Sequence, residues 1–204
     1  MDKMEGILLS WKNTMNDLKI RILTDGKNLG NGILKVDGFI NHQVDPVLMD
    51  ICGRELARRF ASTGATKVLT AEISGIGPAL MTALHLGLPV VYARKSKPVT
   101  MPDHIFLTVA PSHTKGRIVE LMVSPEYLGP QERVLIIDDF LASGETIMGL
   151  VRLANAAGSQ VVGIGTLIEK RFENGRTLLS DLNVPVEALA IITDMSEGRI
   201  VFQD

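Results

Sequence analysis

A chain of 204 residues with 46% hydrophobic side chains can build one sizeable core and is too apolar to be disordered. Its 21 Lys and Arg against 23 Asp and Glu leave a formal charge of −2, which excludes bulk attraction to nucleic acid or an anionic membrane, so any anion site must be local. Cys52 is the only cysteine, which excludes an intrachain disulfide, and no apolar run reaches the length of a membrane span or a convincing export signal, so a cytoplasmic protein with no nucleic-acid or membrane partner is expected.

In chain order, the first helix expected is Pro46 to Phe60. Leu48, Ile51, Leu56 and Phe60 recur at helical spacing there, and Asp45 stands as a cap before a proline at the first helical position. Cys52 falls on this pattern as a small core hydrophobe. A short strand (Lys67 to Thr70), the turn AEISGIGP, a helix (Ala79 to Leu86) and a strand (Pro89 to Tyr92) then form a βαβ unit. In the turn, Ser74, Gly75 and Gly77 let backbone N–H groups approach an anion, although the third glycine of a dinucleotide fingerprint is missing. Arg94, Lys95 and Lys97 follow the strand, placing three cations at its carboxyl end. Two β-rich segments, Ile105 to Val109 and Ile118 to Val123, flank APSHTKG without a helix between them and read as a flexible hairpin flap.

The stretch VLIIDDFLASGET, Val134 to Thr146, joins three chemical demands. Four apolar residues read as a strand buried on both faces, with Asp138 and Asp139 ending it where open α/β sheets place their ligands. Ser143, Gly144 and Thr146 then fall at the start of a helix (Gly144 to Ala157), whose free N–H groups and hydroxyls suit a phosphate. Carboxylates repel phosphate but accept hydrogen bonds from sugar hydroxyls, so the implied ligand is a phosphorylated ribose. A strand from Val161 to Leu167 follows, then Lys170, a helix (Arg176 to Leu182) and a strand (Val186 to Ile192). Lys170 donates hydrogen bonds and accepts none, which favours a 6-oxopurine carbonyl over the amine of adenine. The alternation specifies an α/β fold with a doubly wound, mainly parallel sheet, in one domain.

VLIIDDFLASGET resembles the phosphoribosyl-pyrophosphate (PRPP) signature of the type I phosphoribosyltransferases. ILKVDGFINHQVDP (Ile33 to Pro46), EISGIGPALMTALHLGLPVVYARK and GIGTLIEK extend the resemblance toward the bacterial xanthine branch of that family. The resemblance implies that Ala142, Ser143, Gly144, Glu145 and Thr146 bind PRPP with Ser74, Gly75, Arg94 and Lys95. It implies that Leu34, Asn41 and Lys170 bind xanthine, and that Asp138 and Asp139 serve catalysis and meet Mg2+ indirectly, through the ribose or water, as the Mg–PRPP complex. A homodimer, a hood over about residues 105–123 containing Ser112, His113, Thr114 and Lys115, and a small base-binding hood made by the chain ends are implied as well. Family members begin near Met15, so residues 1–14 read as an extension. Where hypoxanthine-guanine enzymes carry an Asp this chain has Ala142, which argues against a dedicated general base.

The activity expected is transfer of 5-phosphoribose from PRPP to N9 of xanthine in purine salvage. Guanine or hypoxanthine as the base is one alternative, and a non-catalytic PRPP-sensing regulator is another.

Overall fold

The computed structural model describes residues 17–111 and 118–203. The expected extension at 1–14 and flap residues Ser112 to Lys115 lie outside them. Helix α1 (17–25) precedes a two-strand hairpin, β1 (Lys27–Asn28) and β2 (Leu34–Lys35), and a π-helical turn (Asp37–Asn41). There follow α2 (Pro46–Phe60), β3 (Lys67–Ala71), α3 (Ile76–Leu86), β4 (Val90–Ala93), β5 (Phe106–Pro111) and β6 (Ile118–Val123). The chain continues with β7 (Arg133–Leu141), α4 (Glu145–Ala156), β8 (Gln160–Lys170), α5 (Gly175–Leu178), β9 (Val186–Asp194) and β10 (Val201–Phe202).

Six strands form one sheet in the order β10-β9-β8-β7-β3-β4, parallel except for β10 at the edge. From β3 the chain winds outward to β4, and from β7 it winds the other way to β8 and β9. The direction reverses between β3 and β7, and ligands gather at such a switch point. The apolar run in β7 is explained by burial on both faces. Leu135 and Ile137 join Val68 against α1, α2 and α3, while Val134 and Ile136 join Leu69 against α4 and the β5–β6 hairpin. That hairpin is docked on the sheet where Arg94 and Met122 exchange backbone hydrogen bonds of 2.8 and 2.9 Å.

Helix α2 begins as its sequence indicates, with the Asp45 carboxylate accepting from the N–H groups of Val47 and Leu48 ahead of Pro46. It is not the first helix. Leu18 and Ile22 of α1 are fully buried, but Ile20 and Leu23 are apolar and exposed, and the alternation Leu18, Ile20, Ile22 masks the helical stripe in the sequence. Strand β7 also runs past the expected end at Ile137, because its pairing with β8 continues through Asp138↔Thr166, Phe140↔Ile168 and Leu141↔Glu169. The helix expected over Arg176 to Leu182 stops at Leu178 and resumes as a 3-10 turn, Ser180–Leu182, with the Ser180 hydroxyl donating to the Thr177 carbonyl.

Cys52 is fully buried, and burial, with a smaller push from the Asp17 charge, raises its thiol pKa to about 12. Iodoacetamide should therefore leave the folded protein unlabelled at pH 8 and label Cys52 in denaturant, as read by intact mass. Rapid labelling of the native protein would contradict this packing.

Candidate active site

A cavity of about 610 Å³ opens at the carboxyl end of the sheet, at the switch point between β3 and β7. Pairing between these strands stops at Leu69↔Ile136, so Asp138 and Asp139 project from a strand that has lost its neighbour on one side. Both are nearly buried, at 6% and 7% exposure. Burial pushes the Asp138 carboxyl well above the usual range and the adjacent Asp139 charge adds to this, while Lys95 offsets part of it. Asp139 is raised by burial too, with a hydrogen bond from the Ser74 side chain acting in the opposite direction. The cavity floor is thus a pair of poorly solvated carboxylates, primed to interact with sugar hydroxyls or with positive charge developing above them.

One wall is the loop Ala142 to Thr146. Gly144 takes φ +82° at the cap of α4 and has no side chain to cap that helix, so apart from a long 3.5 Å contact from Glu145 N–H to the Ser143 hydroxyl its first N–H groups are left to face a ligand. The loop is held from behind by the turn after β8. Gly175 N–H donates to the Ala142 carbonyl at 2.9 Å, and a Cβ on Gly144 would come within 3.0 Å of the Gly175 Cα. The opposite wall holds the expected base-binding residues. Leu34 comes from β2, Asn41 from the end of the π-helical turn and Lys170 from the last position of β8, with its Nζ 5.5 Å from the centre of the Phe140 ring. Asn28 closes this side by donating to the carbonyls of Met195 and Arg199, which brings the two described ends of the chain together.

Ser74 and Lys95 also line the cavity, but Arg94, Lys97 and Gly75 do not. Arg94 turns away, its Nε 3.1 Å from Glu72 and its guanidinium 5.7 Å from the Tyr92 ring centre, because the Glu72 carboxylate offers a nearer anion than the cavity does. Lys97 likewise pairs with Asp103 at 3.2 Å. Gly75 acts from behind the site. A Cβ there would lie 2.5 Å from Asp138 Oδ1 and closer still to Thr70 Oγ1, so only glycine lets the β3–α3 loop lie against the carboxylate. Gly75→Ala should cost about 1–3 kcal/mol through overpacking and weaken PRPP binding more than tenfold, checked by urea unfolding and PRPP titration. A variant as stable and as tight as the parent would show that the loop need not lie there.

Several residues of the site escaped sequence reading. Asn31 and Gly32 of the β1–β2 turn, Phe140, and Glu173 on the turn after Lys170 all line the cavity. Behind them Glu169, 1% exposed, accepts from Arg171 Nε at 2.6 Å and Arg176 Nε at 2.8 Å, fastening the turn that carries Glu173 and Gly175. An ion pair seven residues apart across a non-helical turn has no sequence periodicity to betray it.

A family model described as the phosphoribosyl transferase domain matches residues 54–198, which contain the switch point, both aspartates and the phosphate loop. The chain belongs to this family. Among curated phosphoribosyltransferases it is 49% identical over 185 residues to the xanthine phosphoribosyltransferase of Moorella thermoacetica, covering 91% of this chain and 94% of that protein. It is 50% identical over 184 residues to that of Deinococcus deserti, covering 90% and 95%. Among solved phosphoribosyltransferases, the adenine phosphoribosyltransferase of Rhodothermus marinus superposes with a TM-score of 0.72 at 28% identity, over 89% of this chain and 99% of that one. The expected fold is thereby borne out.

Proposed function

We propose that this phosphoribosyltransferase moves 5-phosphoribose from PRPP to N9 of xanthine, releasing pyrophosphate and xanthosine 5′-monophosphate in purine salvage. The observation that carries the reading is one cavity with a buried carboxylate pair between a phosphate-type loop and an oxopurine-type wall of Leu34, Asn41 and Lys170. Relatives sharing half their residues with this chain, across nine-tenths of its length, carry that activity in their names.

The 5′-phosphate would sit on the N–H groups at the start of α4, in the loop Ala142 to Thr146. Ser74 and Lys95 would take the pyrophosphate, and Gly75 keeps the loop that carries Ser74 against Asp138. With phosphate and base held at opposite walls, the anomeric carbon lies over Asp138 and Asp139. Departure of pyrophosphate leaves positive, oxocarbenium-like character there, and a fixed pair of carboxylates in a dry floor stabilises it without reorganisation. Holding N9 in line supplies the rest. Ala142 places no acid at the loop entry, so the base would have to reach the site as a good nucleophile. Among the described residues no group of three or more His, Cys, Asp or Glu side chains forms a metal cage. Magnesium would arrive with PRPP and neutralise the pyrophosphate, and Asp138 and Asp139 are the carboxylates that would meet it through ribose hydroxyls or water.

The reading includes a cytoplasmic homodimer, in line with the exposed apolar Ile73, Leu80 and Leu84 on and beside α3. Among the described residues no helix is long and apolar enough to cross a membrane. The test is pyrophosphate release from purified protein, PRPP and xanthine with magnesium or with EDTA. Magnesium-dependent release that needs the base supports the reading. PRPP binding without turnover on any purine would replace it with a PRPP-sensing role.

A further inference from the structure

We propose that Glu173 is a second base-contacting residue, accepting the N1–H of an oxopurine beside the carbonyl that Lys170 takes. The proposal rests on the base-site reading above.

The turn after β8 folds back on itself through a hydrogen bond from Glu173 N–H to the Lys170 carbonyl, 3.0 Å. This brings Glu173 Oε1 to 3.6 Å from Lys170 Nζ, with only 13% of the lysine and 15% of the glutamate side chain exposed. Both line the cavity, and the Phe140 ring beneath Nζ narrows the room for the ammonium to swing away. An ammonium only donates and a carboxylate only accepts. Side by side they complement a lactam edge, which shows an acceptor, O6, next to a donor, N1–H. A separation of 3.6 Å is a charge contact looser than a direct hydrogen bond between the two heads. Adenine presents the reverse order, a donor at N6 and a lone pair at N1, so both partners would oppose it. Discrimination of this type is strong because the wrong base leaves buried polar groups unpaired.

The test compares wild type, Glu173→Ala and Glu173→Gln in steady-state pyrophosphate release with xanthine and with 1-methylxanthine, in which the N1 donor is replaced by a methyl group. Glu173→Ala should raise KM for xanthine about tenfold with KM for PRPP unchanged, and should shrink the penalty that wild type shows for the N1-methyl group. Glu173→Gln, whose amide oxygen still accepts, should recover most of the lost affinity. The proposal is overturned if Glu173→Ala leaves the xanthine KM unchanged or raises both KM values together. A Gln variant as impaired as the Ala variant also overturns it, since the charge and not the acceptor would then matter. If wild type prefers guanine or hypoxanthine the same comparison runs on that base, which shares the lactam edge. Failure of wild type on every oxopurine instead removes the base-site reading itself, before any variant is compared.

Discussion

Asp139→Asn is expected to lower turnover at saturating substrates by about 10²- to 10³-fold, the loss typical of removing one group that stabilises transition-state charge. The melting temperature should not fall with it. Asp139 sits buried beside Asp138, its backbone N–H 3.0 Å from Asp138 Oδ1, and burial raises the pKa of both carboxyls. A carboxyl whose pKa is higher folded than unfolded binds more protons in the native state. It contributes stability below the ordinary carboxylate range, and that contribution is lost as pH rises through the raised folded value. Wild type should therefore decline in stability from the ordinary carboxylate range upward more steeply than Asp139→Asn, which lacks one of the two groups. Melts across that range, read beside turnover at one pH, check both halves. Equal turnover in the variant would remove Asp139 from the chemistry, and a large loss of stability would make its role structural.

The second large effect lies behind the cavity. Glu169→Gln should destabilise the protein by about 3 kcal/mol, the lower end for breaking a buried pair, because Arg171 and Arg176 keep some contact with water. Burial works to raise the Glu169 pKa, but hydrogen bonds from Arg176 and then Arg171 outweigh it and leave the carboxyl lowered. A lowered carboxyl supplies stability above its unfolded pKa and loses it as pH falls through the folded one, so the variant should be flatter than wild type on the acid side of the ordinary carboxylate range. Arg176 also donates to the Val186 carbonyl at 2.9 Å and adjoins Gly175, whose N–H holds Ala142. Loosening it should raise KM for PRPP and for the base together. Urea unfolding gives the first number and steady-state kinetics the second. A rise in only one KM would show that the turn does not join the two half-sites.

The parts of the fold that were legible in sequence are those with a local cause. Asp45-Pro46 announces the start of α2, and four consecutive apolar residues announce β7 because each face of that strand meets its own layer of core. The two acids and the small-residue loop of the site could be read because their chemistry is written in adjacent residues. What escaped depends on distant partners. The true end of β7 is set by β8, and the outward turn of Arg94 by Glu72, 22 positions earlier. The Glu169–Arg176 fastening and the place of Glu173 in the cavity wall follow from a turn whose shape no periodicity encodes. The N-terminal α1 carries only Leu18 and Ile22 as buried markers, and the exposed Ile20 between them masks their helical spacing.

The most direct test of the account is a competition in one vessel. Xanthine, guanine, hypoxanthine and adenine at equal concentration are offered to the protein with magnesium and limiting PRPP, and the nucleotides formed are separated by chromatography. Their ratio gives the ratio of kcat/KM values without further assumption. The account predicts xanthosine 5′-monophosphate as the main product and essentially no adenosine 5′-monophosphate. Adenosine 5′-monophosphate as the main product would contradict the reading of Lys170 and of the whole base wall.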